Sequence, residues 1–409
     1  MTLGILLLAT DVGPSDLGPV AAVAAVAAVA GTTSVLLGRR GLLLPAVVLE
    51  LLLGVAIGPE MAGLEVTKLL VFMQAAGLAL LFFFAGYEID PDRIGGSPLR
   101  LAVIGWGFSL LLAYSIGGAL AAAGIVLSLL YTGSALATTA IGTLIPILSD
   151  SGQLKTRMGT NLLAAGAVGE FGPIILLTVL LAGGQPLTEA AILVGFIAAA
   201  VAVALLAARS RRRSLPLFES TVETSSQIAV RWFFLLVMAL VLLASDLGID
   251  LLLGGFAAGM ITRRLIGKRE VPVLESKLTA IAFGVFIPYF FVVSGMRLDF
   301  SALMDSPSGF LLIPLFFVLF LVVRGVPALV VYRKVLDRSE RLALAFFSST
   351  QLPLVLAITT VALEAGHMRK RTAAALVAAA VLSTVIFPLL GMRISERHSR
   401  KSGSPQPAT

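Results

Sequence analysis

The chain has no cysteine and only two histidines in 409 residues. Without cysteine there can be no disulfide, no thiolate-ligated metal and no thiol nucleophile. His367 stands near the end of an apolar span and His398 lies in the C-terminal tail. No HExxH pattern accompanies them, so a zinc hydrolase has no ligand set to use. Charge is scarce too. Asp, Glu, Lys and Arg make up 13% of the residues, against about 25% in soluble domains. That is too little to coat a water-soluble surface over a chain of this length. With 58% hydrophobic residues and a mean hydropathy of +1.01, the sequence reads as a polytopic integral membrane protein. The start, MTLGILLLAT, lacks a positive n-region, and no cleaved signal peptide is expected. The net charge of +7 does not point to nucleic acid, because the basic residues sit in short loops rather than on one helix face interleaved with aromatics.

What the chain does have is a succession of apolar segments, each near the ~20 residues that cross a bilayer. About thirteen are expected, at 17–37, 42–58, 68–87, 98–123, 126–148, 158–182, 187–208, 228–245, 249–262, 277–297, 309–332, 341–363 and 372–392. The segment at 249–262 is the weakest, being short and glycine-rich. With the N-terminus outside, 24 of the 30 basic residues fall in cytoplasmic loops and their flanks, four fall outside, and Arg297 and Arg324 fall within spans. Cytoplasmic loops collect Lys and Arg, so this split favours a multi-pass protein of the cell membrane with an outside N-terminus and a cytoplasmic C-terminus. The expected organisation is a transmembrane half over 1–208, a cytoplasmic linker over 209–227, a second transmembrane half over 228–393, and a disordered tail over 394–409.

The two halves share an oddity. The fifth span contains SALATTAIGTLIP, where threonines, glycine and Pro146 interrupt an apolar run. The twelfth contains SSTQLPLVLAITT, where polar residues and Pro353 do the same. Each alone reads as a proline kink with Ser and Thr re-bonding the backbone. As a matched pair running in opposite directions, they read as a transporter site built on an inverted repeat. A broken helix bares backbone groups that must find partners.

Glu170, in AAGAVGEFGPIILL, is the only charge in its run. At the centre of the sixth span it lies about 18 Å from either end, too deep for a glutamate to snorkel. An acid at that depth costs about 3 kcal/mol on insertion scales, so it must face the protein interior or a water-filled cavity. One reading is a protonated side chain bonded to a neighbouring helix. The other is a carboxyl that alternately holds a proton and a cation: exclusion of water favours its neutral form, and a cation beside it favours the charged one. Thr138 and Thr139 offer oxygens from the broken fifth span, and Gln351 an amide oxygen from the twelfth. Arg324, in FLVVRGVPALVVYRK, either snorkels to the cytoplasmic face or acts as a positive partner near the ion site. Arg297, beside Asp299, reads as an interface anchor, and Glu88 and Asp90 as a solvated cap. Glu50 could line a cavity or face a partner subunit.

At these residues the chain resembles the monovalent cation:proton antiporters of the sodium/hydrogen exchanger type, the group that includes potassium-efflux antiporters. PAVVLELLLGVAIGPE is similar to the family's second-span motif and LALLFFFAGYEID to its third-span ending. LIPILSDSGQLKTRMG with AAGAVGEFGPIILL resembles the fifth-to-sixth-span region, and FIPYFFVVSGMRLDF the late phenylalanine-rich motif. The resemblance covers nearly the whole chain. It implies an all-α fold of thirteen transmembrane helices with two broken, crossing ones, a homodimer, and an elevator-like movement of a core domain against a dimerisation domain. It places the ion-binding carboxylate on Glu170, the basic residue of the eleventh span on Arg324, and the broken-helix polar residues on Thr138, Thr139 and Gln351. One departure stands out. Many members carry two adjacent polar residues where this chain has Gly169-Glu170.

The expectation is therefore a secondary antiporter, not an enzyme, exchanging Na+ or K+ for H+ without a cofactor. A single titrating carboxylate predicts electroneutral 1:1 exchange. The alternative is a sodium-coupled symporter of an organic anion on a similar scaffold.

Overall fold

In the computed structural model of the chain, the described residues are 14–40, 44–88, 95–150, 153–180, 227–246, 251–265, 271–298 and 307–402, with Gly195 and Ala202 as isolated helical positions. Every regular element among them is helical, as buried backbone in a bilayer requires. In chain order these are α1 (Pro14–Arg39), α2 (Ala46–Ile57), α3 (Lys68–Glu88), α4 (Ser97–Ala122), α5 (Leu129–Leu136), α6 (Ile141–Asp150), α7 (Arg157–Leu180), α8 (Ile228–Asp246) and α9 (Leu251–Leu265). Then α10 (Val271–Ile281) passes through a π turn, Ala282–Phe286, into α11 (Ile287–Met296). In the same way α12 (Pro307–Phe320) passes through a second π turn, Leu321–Gly325, into α13 (Val326–Val331). The chain ends in α14 (Arg338–Ser348), α15 (Pro353–Glu364) and α16 (Lys370–Ser402).

Among the described residues, seven helical stretches are long and apolar enough to cross a membrane, and three shorter apolar ones accompany them. Apart from Gly195, Ala202 and Gln227, the expected span at 187–208 and the linker lie outside the described residues, and the count of thirteen is not established. The tail expected to lack structure from 394 is helical to Ser402. There the Ser395 hydroxyl bonds Gln153 Oε1 at 2.8 Å, which ties the polar end of α16 to the turn before α7.

The chain divides into two compact units. The first comprises Met1–Leu36, Leu49–Asp90 and Thr178–Arg297. Its helices meet backbone to backbone at glycines. A Cβ on Gly54 of α2 would strike the carbonyl of Val292 in α11, and one on Gly77 of α3 the carbonyl of Phe286. Gly255 and Gly259 of α9 lie in the same way against Ala79 and Phe83 of α3. Small residues permit such close approach, which drives helix association where lipid is as apolar as the protein. Val23, Leu70, Val292, Val293 and Met296 form a buried cluster beside these contacts.

The second unit comprises Leu37–Val48, Pro91–Leu177 and Leu298–Thr409. At its centre is the stretch Arg338–Glu364, whose apolar window is 83% buried, against 11% for Asp16–Arg39 in the first span. Leu111 and Leu311 point outward on α4 and α12, as a lipid-facing surface allows. Both interruptions lie in this unit. α5 stops at Leu136 and α6 resumes at Ile141; α14 stops at Ser348 and α15 resumes at Pro353. Pro353 opens its helix, where a missing N–H removes no helical bond. Pro146, expected to contribute to the first break, instead falls inside α6. The break is made at Ala137–Ala140, where the N–H groups of Thr139 and Ala140 take partners outside the helix.

Candidate functional site

A helix end leaves up to four N–H or four C=O groups without a helical partner. The two interruptions put such ends where water does not reach: Thr138, Thr139, Thr350 and Gln351 are all buried. The breaks satisfy one another. The Ala140 N–H donates to the Thr350 carbonyl at 2.8 Å. The Thr138 hydroxyl lies 2.7 Å from Gln351 Oε1 and 3.0 Å from the Ala135 carbonyl, and can donate to either. Gln351 Nε2 donates to the Leu136 carbonyl at 3.1 Å. Two further helices supply the rest. The Thr139 N–H donates to the Gly169 carbonyl of α7 at 3.1 Å, and the Gln351 N–H to Ser383 Oγ of α16 at 3.0 Å. Thr138, Thr139 and Gln351 all stand at this crossing, and their first task is to close it.

Arg324 sits in the π turn, buried to 4% exposure. It does not snorkel. Its Nε donates to Thr139 Oγ1 at 2.9 Å, Nη1 to Ser109 Oγ at 3.2 Å and Nη2 to the Ala165 carbonyl at 3.2 Å. The Thr139 hydroxyl in turn donates to the Ser348 carbonyl at 2.6 Å, in the last turn of α14. The partial negative charge of that helix end, together with the Ala165 carbonyl, faces the guanidinium. Every one of these partners is a neutral oxygen, and the structure does not bring Arg324 to Glu170.

Gly169 explains part of this placement. A Cβ there would strike Arg324 Nη2 and come within 3.0 Å of Thr139 Oγ1. The position where resembling proteins often carry a second polar side chain is, in this chain, filled by the arginine fork. Gly166 plays a related part: a Cβ there would press on Ile141, the first residue of α6.

Glu170 lies one helical turn beyond Gly166 on the same face of α7. It is 2% exposed, and its Oε2 has no hydrogen-bond partner. A buried carboxyl oxygen without a donor costs roughly 1–3 kcal/mol, and more if charged. The group is therefore stable either as the neutral acid or beside a positive ion. Among the described residues no three His, Asp or Glu side chains converge, so an ion held here must take most of its oxygens from hydroxyls, amides and backbone. A hollow of about 10 Å³, the room one water needs, lies next to Arg324, lined by Trp106, Ser109, Tyr332 and Ser348.

Glu50 is buried on α2, in the first unit. Arg297 is exposed and reaches Gln74 Oε1 at 3.5 Å, while Asp299 and Asp90 lie outside the described residues. Glu88 ends α3. His367 stacks on Tyr131, ring centroids 5.6 Å apart. Sequence reading missed Ser109, Ser348, Ser383 and Thr384. The adjacent hydroxyls in AVLSTVIF and the lone serine in GWGFSLLLAY were the available signals, being polar groups in apolar runs.

Comparison with known proteins agrees with this architecture. The family model described as sodium/hydrogen exchanger, transmembrane, matches residues 24–392. YjbQ of Bacillus subtilis (strain 168) is 26% identical over 403 residues, covering 93% of this chain and 64% of that protein. GerN of Bacillus cereus, a Na+/H+-K+ antiporter, is 28% identical over 296 residues, covering 69% of this chain and 72% of GerN. The sodium proton antiporter MjNhaP1 from Methanocaldococcus jannaschii superposes with a TM-score of 0.62 over 92% of this chain and 99% of its own, at 15% identity, a likeness of fold. The chain belongs to the sodium/hydrogen exchanger family of transmembrane transporters.

Proposed function

We propose that the chain exchanges a monovalent cation, Na+ or K+, for H+ across the cell membrane by alternating access. The observation that supports this most directly is Glu170, buried, with an oxygen that no protein group satisfies. It crosses the barrier loaded with either passenger and never empty, because a bare carboxylate in apolar surroundings is too costly to move. That rule couples the two fluxes. Thr138, Thr139 and Gln351 frame the site. A hydroxyl or amide oxygen keeps a lone pair after one hydrogen bond, so these residues can close the crossing and still offer oxygen to a cation. Arg324 offsets the negative helix end and holds Thr139 in place, leaving Glu170 to the passengers. GerN, named for both sodium and potassium, is in keeping with either cation.

Several parts of this reading follow from the resemblance. The two interruptions represent an inverted repeat, one in the half before the 209–227 linker and one after it. The working form is a homodimer in which the unit carrying Glu170 makes an elevator-like movement. The N-terminus lies outside and the C-terminus in the cytoplasm. With one titrating carboxylate the exchange is 1:1 and electroneutral. Nothing in the site favours the organic-anion symporter.

The test is reconstitution into liposomes with a pH-sensitive dye and an imposed ΔpH, adding Na+, K+ and Li+ in turn. Cation-driven alkalinisation or acidification that vanishes in Glu170→Gln is expected. A Glu170→Gln variant with full activity removes Glu170 from the mechanism. A reversal point that moves with voltage rules out 1:1 exchange, since one net charge would couple to the potential at about 2.3 kcal/mol per 100 mV.

A further inference from the structure

The last helix, α16, is unbroken and mostly apolar over its buried length, yet it holds two adjacent hydroxyls, Ser383 and Thr384, at 0% and 1% exposure. In a membrane helix such residues ordinarily donate back to a carbonyl one turn earlier, and both lie within reach of Ala380, at 2.7 and 3.0 Å. Here they also meet a single peptide unit of another element. Ser383 Oγ accepts the Gln351 N–H at 3.0 Å and lies 3.0 Å from the Gln351 carbonyl, with Thr384 Oγ1 at 3.2 Å from that carbonyl. Gln351 is the residue whose side chain spans to the opposite interruption, through Thr138 and Leu136.

In the structure the N–H has Ser383 Oγ as its partner, and the nearby Phe347 carbonyl at the end of α14 is already taken by the Thr350 N–H. The carbonyl is approached by two hydroxyls, so it can lose one and keep the other. Ser383 is thus the side that cannot be spared, and Thr384 the reserve.

Building on the exchange function proposed above, we infer that Ser383 is a positioning residue of the cation site, with Thr384 in support. Ser383 fixes the Gln351 peptide, which fixes the Gln351 side chain, which fixes Thr138 across the crossing. Ser383 touches no transported ion. Its loss lets the Gln351 amide turn and blurs the oxygen frame, weakening cation affinity while leaving Glu170 able to cycle.

Three variants in proteoliposomes and one exchange measurement decide this. Ser383→Ala is expected to raise the cation KM about 10-fold, the equivalent of one buried N–H left without its partner, with turnover at saturating cation within about twofold of wild type. Ser383→Thr keeps the hydroxyl and should restore KM. Thr384→Ala should raise KM by about threefold or less. Combined with Gln351→Ala, Ser383→Ala should add nothing further, because it acts through Gln351. Hydrogen–deuterium exchange of the 349–352 segment should quicken in Ser383→Ala, whether or not transport is assayed. Unchanged KM in Ser383→Ala, additivity with Gln351→Ala, or unchanged amide exchange at Gln351 would each overturn the inference. A wild type that moves no cation sinks the functional reading instead, and the amide exchange then still judges the clamp.

Discussion

The two units use the same residue, glycine, for opposite ends. In the first, Gly54, Gly77, Gly255 and Gly259 let one helix backbone rest on another. In the second, Gly133, Gly166, Gly169, Gly172 and Gly391 make room for side chains: Tyr114, Ile141, Arg324, Trp106 and Phe347. In the first unit these contacts set one helix backbone directly on another. The other has such contacts too, at Gly159 against the Gln153 carbonyl, but spends several of its close approaches on seating large or charged side chains around two broken helices. A rigid assembly of helices and a chemically furnished one can thus arise from similar composition, and the difference lies in what each glycine faces.

That contrast can be broken or sharpened by substitution. The largest expected effect belongs to the furnished unit: Glu170→Gln should reduce cation–proton exchange to background while expression and thermal stability in detergent stay near wild type. Next comes Arg324→Leu, which removes the fork from Thr139, Ser109 and Ala165. It should cost roughly 3 kcal/mol of stability, read as an earlier thermal transition, with Arg324→Lys recovering only part, since an ammonium cannot reproduce the planar fork. Third is a matched pair of glycine changes. Gly54→Ala forces a methyl onto a carbonyl and should cost about 2 kcal/mol, leaving exchange per folded molecule unaltered. Gly169→Ala meets the movable tip of an arginine, so it should cost under about 1 kcal/mol yet raise the cation KM. If both glycines affect only stability, the contrast between the units fails. The smallest effect is expected of Ser109→Ala, about 1 kcal/mol from one lost partner of Arg324, measured by the same thermal transition.

Much of the fold could be read before any coordinate. Among the described residues, length and apolarity located helices, including the glycine-rich one that became Leu251–Leu265, because a bilayer imposes both requirements on a span. Paired oddities in two spans pointed to Thr138, Thr139 and Gln351, because polar residues in apolar runs need a reason. Partnership was harder. Arg324 reads in the sequence either as a snorkelling arginine or as a positive partner near the ion site, whereas in space it is buried and held by a threonine, a serine and a carbonyl. No one-dimensional pattern says that Gly169 clears the place it occupies. The end of α5 was misread for a similar reason. Proline marks where a helix can stop, while the actual stop depends on partners from α7 and the second interruption, far away in sequence. Ser383 and Thr384 look like ordinary back-bonding hydroxyls until Gln351 is set beside them.

The wide turn Leu321–Gly325 has a consequence of its own. Such a turn holds one residue more than a regular α spiral of equal rise would need. Excising one of those five residues would restore a regular α spiral and leave the flanking helix nearly in phase, while changing where the residues of the turn itself, Arg324 among them, point. The aim of a single positive charge is therefore written in this protein as an insertion, and length here carries information that identity does not.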